Sequence, residues 1–347
     1  MSHENLAGRY DAALLDLDGT IYEGARAVPR ALEALTEPGL PMLFVTNNAS
    51  RAPETVADQL RGLGYDCGAE DVITSAQAAI EMAADVIPEG SKVLVLGADS
   101  FKDLARGAGY EVVDSADDEP AAVFQGHNPN TNWAMMSEAA LSISRGAKYL
   151  ASNLDTTLPT ERGLLVGNGS MVAAIVSATG VTPRSAGKPL PPMFHRGAAR
   201  LGAERPVVIG DRLNTDIAGG NAAEYDTLMT VTGISGHHET LTAIPSERPS
   251  LIGATMNALN SPAEHAEPRP QAGFTAARDD EDPSIIVVSG GDSDDPRLAD
   301  PAQAAVAALL TAASAAWFDS DGAPTDVPVT GVRADSELAA AAIDAWR

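Results

Sequence analysis

The sequence predicts an α/β protein: a parallel sheet interrupted by a second α/β block and followed by a small α/β appendage. Three observations carry that expectation. Short runs that are apolar along most of their length, AALLDLD (12–18), PMLFVTNN (41–48) and RPVVIGDR (205–212), read as strands covered on both faces. Helical stretches lie between the strands, as the crossovers of a parallel sheet require. Between the second and third runs sits a complete further series of strands and helices, so the opening sheet is left and later resumed.

The elements follow in order. PRALEALT (29–36) reads as a helix opened by proline in its first turn, and Pro38-Gly39 breaks it. Pro53 to Leu63 is a second helix, ended at Gly64. In the inserted block SAQAAIEMAADVI (75–87) is helical, KVLVLG (92–97) a strand, SFKDLARGAG (100–109) a helix, and YEVV (110–113) and AAVFQG (121–126) strands. A helix from Trp133 to Arg145, the strand AKYLASN (147–153) and the helix GSMVAAIVSATG (169–180) complete it. Residues 259–283 are rich in Pro, Ala and acid and read as a linker or irregular crossing. Beyond them come the strand SIIVVSG (284–290), an Ala-rich helix (301–318), the short strand PVTGV (328–332) and a closing helix (335–347). The expected division is a discontinuous core of 1–75 and 185–255, an inserted domain of 76–184, a linker of 256–283 and an appendage of 284–347.

Composition narrows the class. Hydrophobic residues make up 44% of the 347, enough for a sizeable core, while aromatics at 4% leave that core to Ala, Leu and Val. A net charge of −25 repels nucleic acid and anionic membranes and supports solubility. The lone Cys67 excludes an internal disulfide and fits a reducing compartment. MSHENLAGRY lacks the basic and apolar regions of a signal peptide, and no apolar stretch approaches the roughly 20 residues that span a bilayer. The expectation is a soluble cytoplasmic protein with no nucleic-acid partner and no membrane insertion; oligomeric state is not readable.

The chemistry concentrates at strand ends. Asp16 and Asp18 close the first strand, where a period of two puts them on one face. Two carboxylates 4 Å apart repel by about 4 kcal/mol at an effective dielectric of 20. A divalent cation, a fixed lysine or protonation of one acid would relieve this, and Gly19 lets the backbone turn and present N–H groups to an anion. The bland alternative is a turn cap, and the chain holds such a case in Asp319-Ser320-Asp321-Gly322, which follows a helix and lacks the Thr. Three further pieces favour chemistry. LFVTNN (43–48) ends a strand with neutral donors suited to phosphate oxygens, GKP (187–189) offers Lys188, and VVIGDRLNTDI (207–217) supplies Asp211 and Asp216. In open parallel sheets ligands bind at the carboxyl ends of the strands.

DLDGT, TNN, GKP and GDRLNTDI, in that order, resemble the four motifs of the haloacid dehalogenase (HAD) superfamily, and YLASNLDTTLPTERGLLVGNGSMVAAI resembles its inserted cap segment. More narrowly, residues 8–236 are similar to its class IIA phosphatases, the p-nitrophenylphosphatase, phosphoglycolate and pyridoxal phosphate phosphatase branch. The resemblance implies a Rossmann-like core with a C2a-type cap and a Mg²⁺-dependent phosphatase. It makes Asp16 the nucleophile that forms an aspartyl-phosphate and Asp18 the general acid and base. It assigns phosphate oxygens to Thr46, Asn47 and Lys188, with the Gly19 turn at the phosphate. Mg²⁺ would be held by Asp16, the Asp18 carbonyl and Asp211, with Asp216 orienting waters and Lys188. Phosphoryl transfer asks mainly for positioning and charge neutralisation, which such a set supplies.

The partner implied is a small phosphorylated metabolite. Cap residues must read its alcohol, and Asn153, Asp155, Arg162 and His127 are the candidates. The acidic, Ala-rich chain with its C-terminal α/β piece also looks like actinobacterial glycerol 3-phosphate phosphatases, which carry an acetyltransferase-like region after the phosphatase. That implies glycerol 3-phosphate as substrate, in recycling of glycerophospholipid heads. Phosphoglycolate, phosphosugars, pyridoxal phosphate and nucleotides are the alternatives, and a catalytically silent phosphate binder is another. Residues 284–347 lack the basic glycine-rich turn that holds a coenzyme pyrophosphate, so the appendage is expected to be structural or regulatory. His237-His238 lacks further ligand spacing and is read as surface.

Overall fold

The computed structural model describes residues 5–24, 26–160 and 162–346. It comprises two compact units, one of residues 1–42 and 198–347 and the other of residues 43–197.

In the first unit four parallel strands lie in the order Leu251–Gly253, Asp226–Thr230, Pro206–Gly210, Ala12–Leu15. Every residue of Ala12–Leu15 and Pro206–Gly210 is buried, which explains why these runs carry no polar alternation. Ala12 pairs with Pro206 and Leu15 with Ile209, so the two strands end level with one another. The first strand stops at Leu15, one residue short of the acids. Asp16 still donates its amide to the Ile209 carbonyl of the neighbouring strand at 2.9 Å, and the turn begins at Leu17, so Asp18 stands in the turn. After Gly210 the chain makes a wide π-type turn over Leu213–Ile217, a local widening often found at functional sites.

The C-terminal region builds a three-stranded sheet, Phe274–Arg278 antiparallel to Ile285–Gly290, which runs parallel to Gly331–Ala334. Residues 256–283, read as a linker or irregular crossing, contain one regular strand as well as turns. They hold helical turns at Met256–Asn260 and Ala263–His265 and then the first strand of this sheet. Their Pro and acid content marks the turns, while the small alternating FTAAR makes an edge strand. The helix Pro301–Trp317 is buried along most of its circumference, from Ala304 to Ala313 without a break. Its Leu309, Leu310 and Trp317 share one hydrophobic cluster with Ile217, Met229 and Ile252 of the parallel sheet region. The appendage and the parallel sheet therefore have a common core, and the Trp317 indole N–H donates to the Leu241 carbonyl at 3.0 Å. His237 is buried, 4% exposed, and stacks on Trp346 at 5.7 Å, which corrects its reading as a surface residue; His238 is exposed. Asp319 accepts from the amides of Asp321 and Ala323, the turn its sequence suggested.

The second unit pairs Met42–Thr46 in parallel with Val72–Thr74. It also holds a five-stranded parallel sheet in the order Arg184–Ser185, Lys148–Ala151, Ala122–Gln125, Lys92–Leu96, Glu111–Val113. Thr74 and Gln77 cap each other at the start of the helix Ser75–Ala83. An antiparallel hairpin, Thr157–Thr160 with Gly163–Val166, was not foreseen; its second strand is exposed throughout, so burial leaves no periodic trace in its sequence. Among the described residues no helix is long and apolar enough to cross a membrane.

Candidate active site

In the first unit, carboxylate oxygens of Asp16, Asp211 and Asp216 all lie within 4.8 Å of one another. The parallel register puts the ends of Ala12–Leu15 and Pro206–Gly210 side by side, and the wide turn carries Asp216 back to the end of its own strand, where it accepts from the Arg212 amide at 3.2 Å. Asp211 is 1% exposed. It accepts from the Ile234 amide at 2.7 Å and from the Thr20 hydroxyl at 3.1 Å. Burial first, then the neighbouring Asp16 and Asp216, hold its carboxyl well above the usual carboxylate range, and those two hydrogen bonds oppose the shift. Three acids so close with Asp211 pushed up in this way fit a hard divalent cation, which takes oxygen ligands and would favour the ionised form of Asp211.

The turn that delivers Asp16 depends on Gly19. Its φ of +94° is in the left-handed region, and a Cβ there would lie 2.4 Å from Asp211 Oδ2. Its carbonyl accepts from the Thr232 hydroxyl at 2.8 Å, which ties the turn to the loop carrying Ile234. Asp18 is exposed and its side chain stands outside the three-carboxylate group. An exposed acid keeps access to solvent protons, as proton exchange requires.

In the second unit a separate network is built around Asn47, just past the strand ending at Thr46. The Asn47 side-chain oxygen accepts from the Lys188 amide at 2.8 Å, and its NH₂ donates to the Lys188 carbonyl and to Asp155 Oδ2, each at 3.1 Å. Lys188 is 3% exposed, and its ammonium donates to the Val45 carbonyl at 3.0 Å. Thr46 is buried and its hydroxyl accepts from the Asn48 amide at 3.1 Å. Asn153 donates to the Asn47 carbonyl at 2.7 Å, and Asn168 in turn donates to the Asn153 carbonyl at 2.7 Å. Gly187 has no room for a side chain, because a Cβ would meet Asn47 Oδ1 and the Ser152 carbonyl at 2.6 Å.

Of the residues singled out in the sequence, the structure brings Asp16, Asp211 and Asp216 together with Gly19 beside them, and brings Thr46, Asn47, Asn153, Asp155 and Lys188 together. Asn153 and Asp155 prove to be braces of Asn47. Arg162 is exposed, and His127 is half-buried beside a cavity. Sequence reasoning missed Thr20, Thr232 and Ile234 as partners of the acidic turn. Thr20 was legible as the residue after Gly19; Thr232 and Ile234 were not, since their role rests on one hydroxyl and one backbone amide in a loop without a motif.

A haloacid dehalogenase-like hydrolase family model matches residues 13–111 and a HAD-hydrolase-like model matches residues 185–259. The D-glycerol 3-phosphate phosphatase of Mycobacterium tuberculosis is 39% identical over 343 residues, 99% of this chain and 96% of that protein. An acid sugar phosphatase of Staphylococcus saprophyticus is 34% identical over 66% of this chain and 90% of its own. The crystal structure of the M. tuberculosis glycerol phosphate phosphatase in complex with magnesium superposes with a TM-score of 0.88 at 38% identity, covering 99% of this chain and 98% of that one. The p-nitrophenyl phosphatase of Archaeoglobus fulgidus gives a TM-score of 0.66 at 26% identity, covering 98% of its own length but 72% of this chain. On these motifs, this fold and these matches, the chain belongs to the haloacid dehalogenase-like hydrolases.

Proposed function

We propose that the protein is a magnesium-dependent phosphatase that hydrolyses glycerol 3-phosphate to glycerol and phosphate. The three-carboxylate group of Asp16, Asp211 and Asp216 supports the phosphatase chemistry. Likeness along the whole chain, C-terminal region included, to a D-glycerol 3-phosphate phosphatase supports the substrate. The role suited to it is recycling of glycerophospholipid heads, in the cytoplasm.

Asp16 attacks phosphorus as the nucleophile and becomes an aspartyl-phosphate, while the P–O bond to the alcohol breaks. Asp18, in its protonated form, gives its proton to the departing alkoxide. It then takes a proton from water, which attacks the aspartyl-phosphate, releases phosphate and restores Asp16. Thr46, Asn47 and Lys188 hold the non-bridging oxygens, Lys188 by charge and Asn47 by its backbone N–H, since its side-chain amide is engaged by Lys188 and Asp155. Asp16, Asp211 and the Asp18 carbonyl would hold Mg²⁺, with Asp216 beside them. The cation, when bound, neutralises charge on the phosphoryl oxygens and lets the acids remain ionised together.

Asp16→Asn tests the mechanism with p-nitrophenyl phosphate, on which turnover should fall by at least about a thousandfold while the fold is kept. Wild-type turnover in that variant would dispose of Asp16 as nucleophile. A panel of glycerol 3-phosphate, phosphoglycolate, pyridoxal phosphate and nucleoside monophosphates tests the substrate, glycerol 3-phosphate being expected to have the highest kcat/KM.

A further inference from the structure

We propose that the C-terminal region buttresses the metal site, with Trp346 as a positioning residue. Trp346 pins the short helix His237–Leu241 and, through it, the loop 231–236 that fixes the turn of Asp16 and the carboxylate of Asp211. The inference rests on the phosphatase reading above and adds a task for the C-terminal region within it.

The loop 231–236 is irregular, yet it touches both segments that build the acidic group. The Thr232 hydroxyl donates to the Gly19 carbonyl at 2.8 Å, in the turn after Asp16 and Asp18. The Ile234 amide donates to Asp211 Oδ2 at 2.7 Å, and the Ser235 amide to the Asp211 carbonyl at 3.0 Å. The Ser235 hydroxyl accepts from the Leu213 amide at 3.2 Å, where the wide turn that returns Asp216 begins. Gly233 runs so close that a Cβ on it would overlap the Asp211 carboxylate. A shift of this loop therefore moves Asp211 relative to Asp16. Magnesium demands near-ideal octahedral geometry, so its affinity answers to such a shift.

The segment that follows the loop is held from the C-terminal side. The helix His237–Leu241 has five residues, too few to persist without tertiary support. At its start His237 stacks on Trp346 with ring centres 5.7 Å apart and 16° between planes, and His238 meets the same ring edge-on at 5.1 Å. At its end the Leu241 carbonyl accepts from the Trp317 indole N–H at 3.0 Å. Trp346 is itself fixed, its indole N–H donating at 3.1 Å to the Ala305 carbonyl of the buried helix Pro301–Trp317. Two of the chain's three tryptophans thus close on one short helix next to the loop that grips Asp211. Leu213, Ile217 and Val231, from the wide turn and the loop, lie in the hydrophobic cluster against which Trp346 packs.

Calorimetric titration with magnesium chloride, without substrate and well below Tm, reads the affinity of the folded chain, which a merely destabilised protein would keep. Trp346→Leu retains apolar bulk and removes the ring, so its magnesium Kd should rise about fivefold or more. Trp346→Phe can still stack on His237 and should stay within about twofold of wild type. Thr232→Val cuts the link at the metal end and should raise Kd as Trp346→Leu does. In the wild-type chain bound magnesium should in turn slow amide hydrogen exchange in His237–Leu241, a reading that needs no variant to fold. Wild-type affinity in Trp346→Leu or Thr232→Val, equal losses in Trp346→Leu and Trp346→Phe, or exchange in that helix indifferent to magnesium overturns the buttress and leaves the phosphatase reading standing. A wild-type chain that neither binds magnesium nor hydrolyses p-nitrophenyl phosphate overturns the phosphatase reading, and this inference with it.

Discussion

Asp211→Asn separates the electrostatics of the acidic group from its shape. The amide oxygen can still accept from the Ile234 amide, and the Thr20 hydroxyl can turn to accept from the new NH₂, so the packing and both hydrogen bonds survive. What disappears is one charge among three within 4.8 Å, where each ionised pair costs about 3.5 kcal/mol at a dielectric of 20, an upper bound because proton uptake relieves it. Asp211 has its folded pKa raised, by burial first and then by Asp16 and Asp216. A raised acid leaves the fold unaffected below its unfolded pKa near 4. Above that the fold loses about 1.4 kcal/mol per pH unit until pH passes the folded value. Without metal, the variant should therefore match wild type near pH 4 and exceed it increasingly towards pH 7, read as a higher Tm. With magnesium at a hundred times its Kd, wild type should gain about 2.7 kcal/mol and the variant much less, so the order reverses. Thermal melts in EDTA and in magnesium chloride at several pH values read both arms. A variant less stable than wild type in EDTA at pH 7, or a wild type indifferent to magnesium, would refute the reasoning.

Gly19→Ala must place a methyl against Asp211 at a φ that disfavours any side chain, so kcat should fall at least about tenfold with weaker magnesium binding by calorimetry. Asn47→Ala removes three hydrogen bonds that join Lys188 and Asp155; KM for every phosphate ester should rise together, read from steady-state kinetics across the substrate panel. Leu310→Ala, in the buried helix of the C-terminal region, should cost about 2–5 kcal/mol in urea unfolding. Because that helix shares its core with the parallel sheet, loss of structure and loss of phosphatase activity should coincide in a single transition for the first unit.

Much of this protein was legible in the chain alone. Strands buried on both faces must be apolar throughout, so AALL and PVVIG announced themselves, and residues that must meet phosphate or a metal have few chemical substitutes, so DLDGT, TNN, GKP and GDRLNTD stood out. Elements held by weaker local constraints did not. The strand Phe274–Arg278 hides in a Pro- and acid-rich stretch, and the strand Gly163–Val166 is too exposed to show a pattern. Tertiary structure alone decided that Asn153 and Asp155 brace Asn47, that His237 lies under Trp346, and that the C-terminal region completes the core of the parallel sheet. The reason is physical: periodicity and motif chemistry are properties of neighbours along the chain. A hydrogen bond between Asn153 and Asn47, or a Leu310 packed in one cluster with Met229, exists only once distant segments have closed their loops.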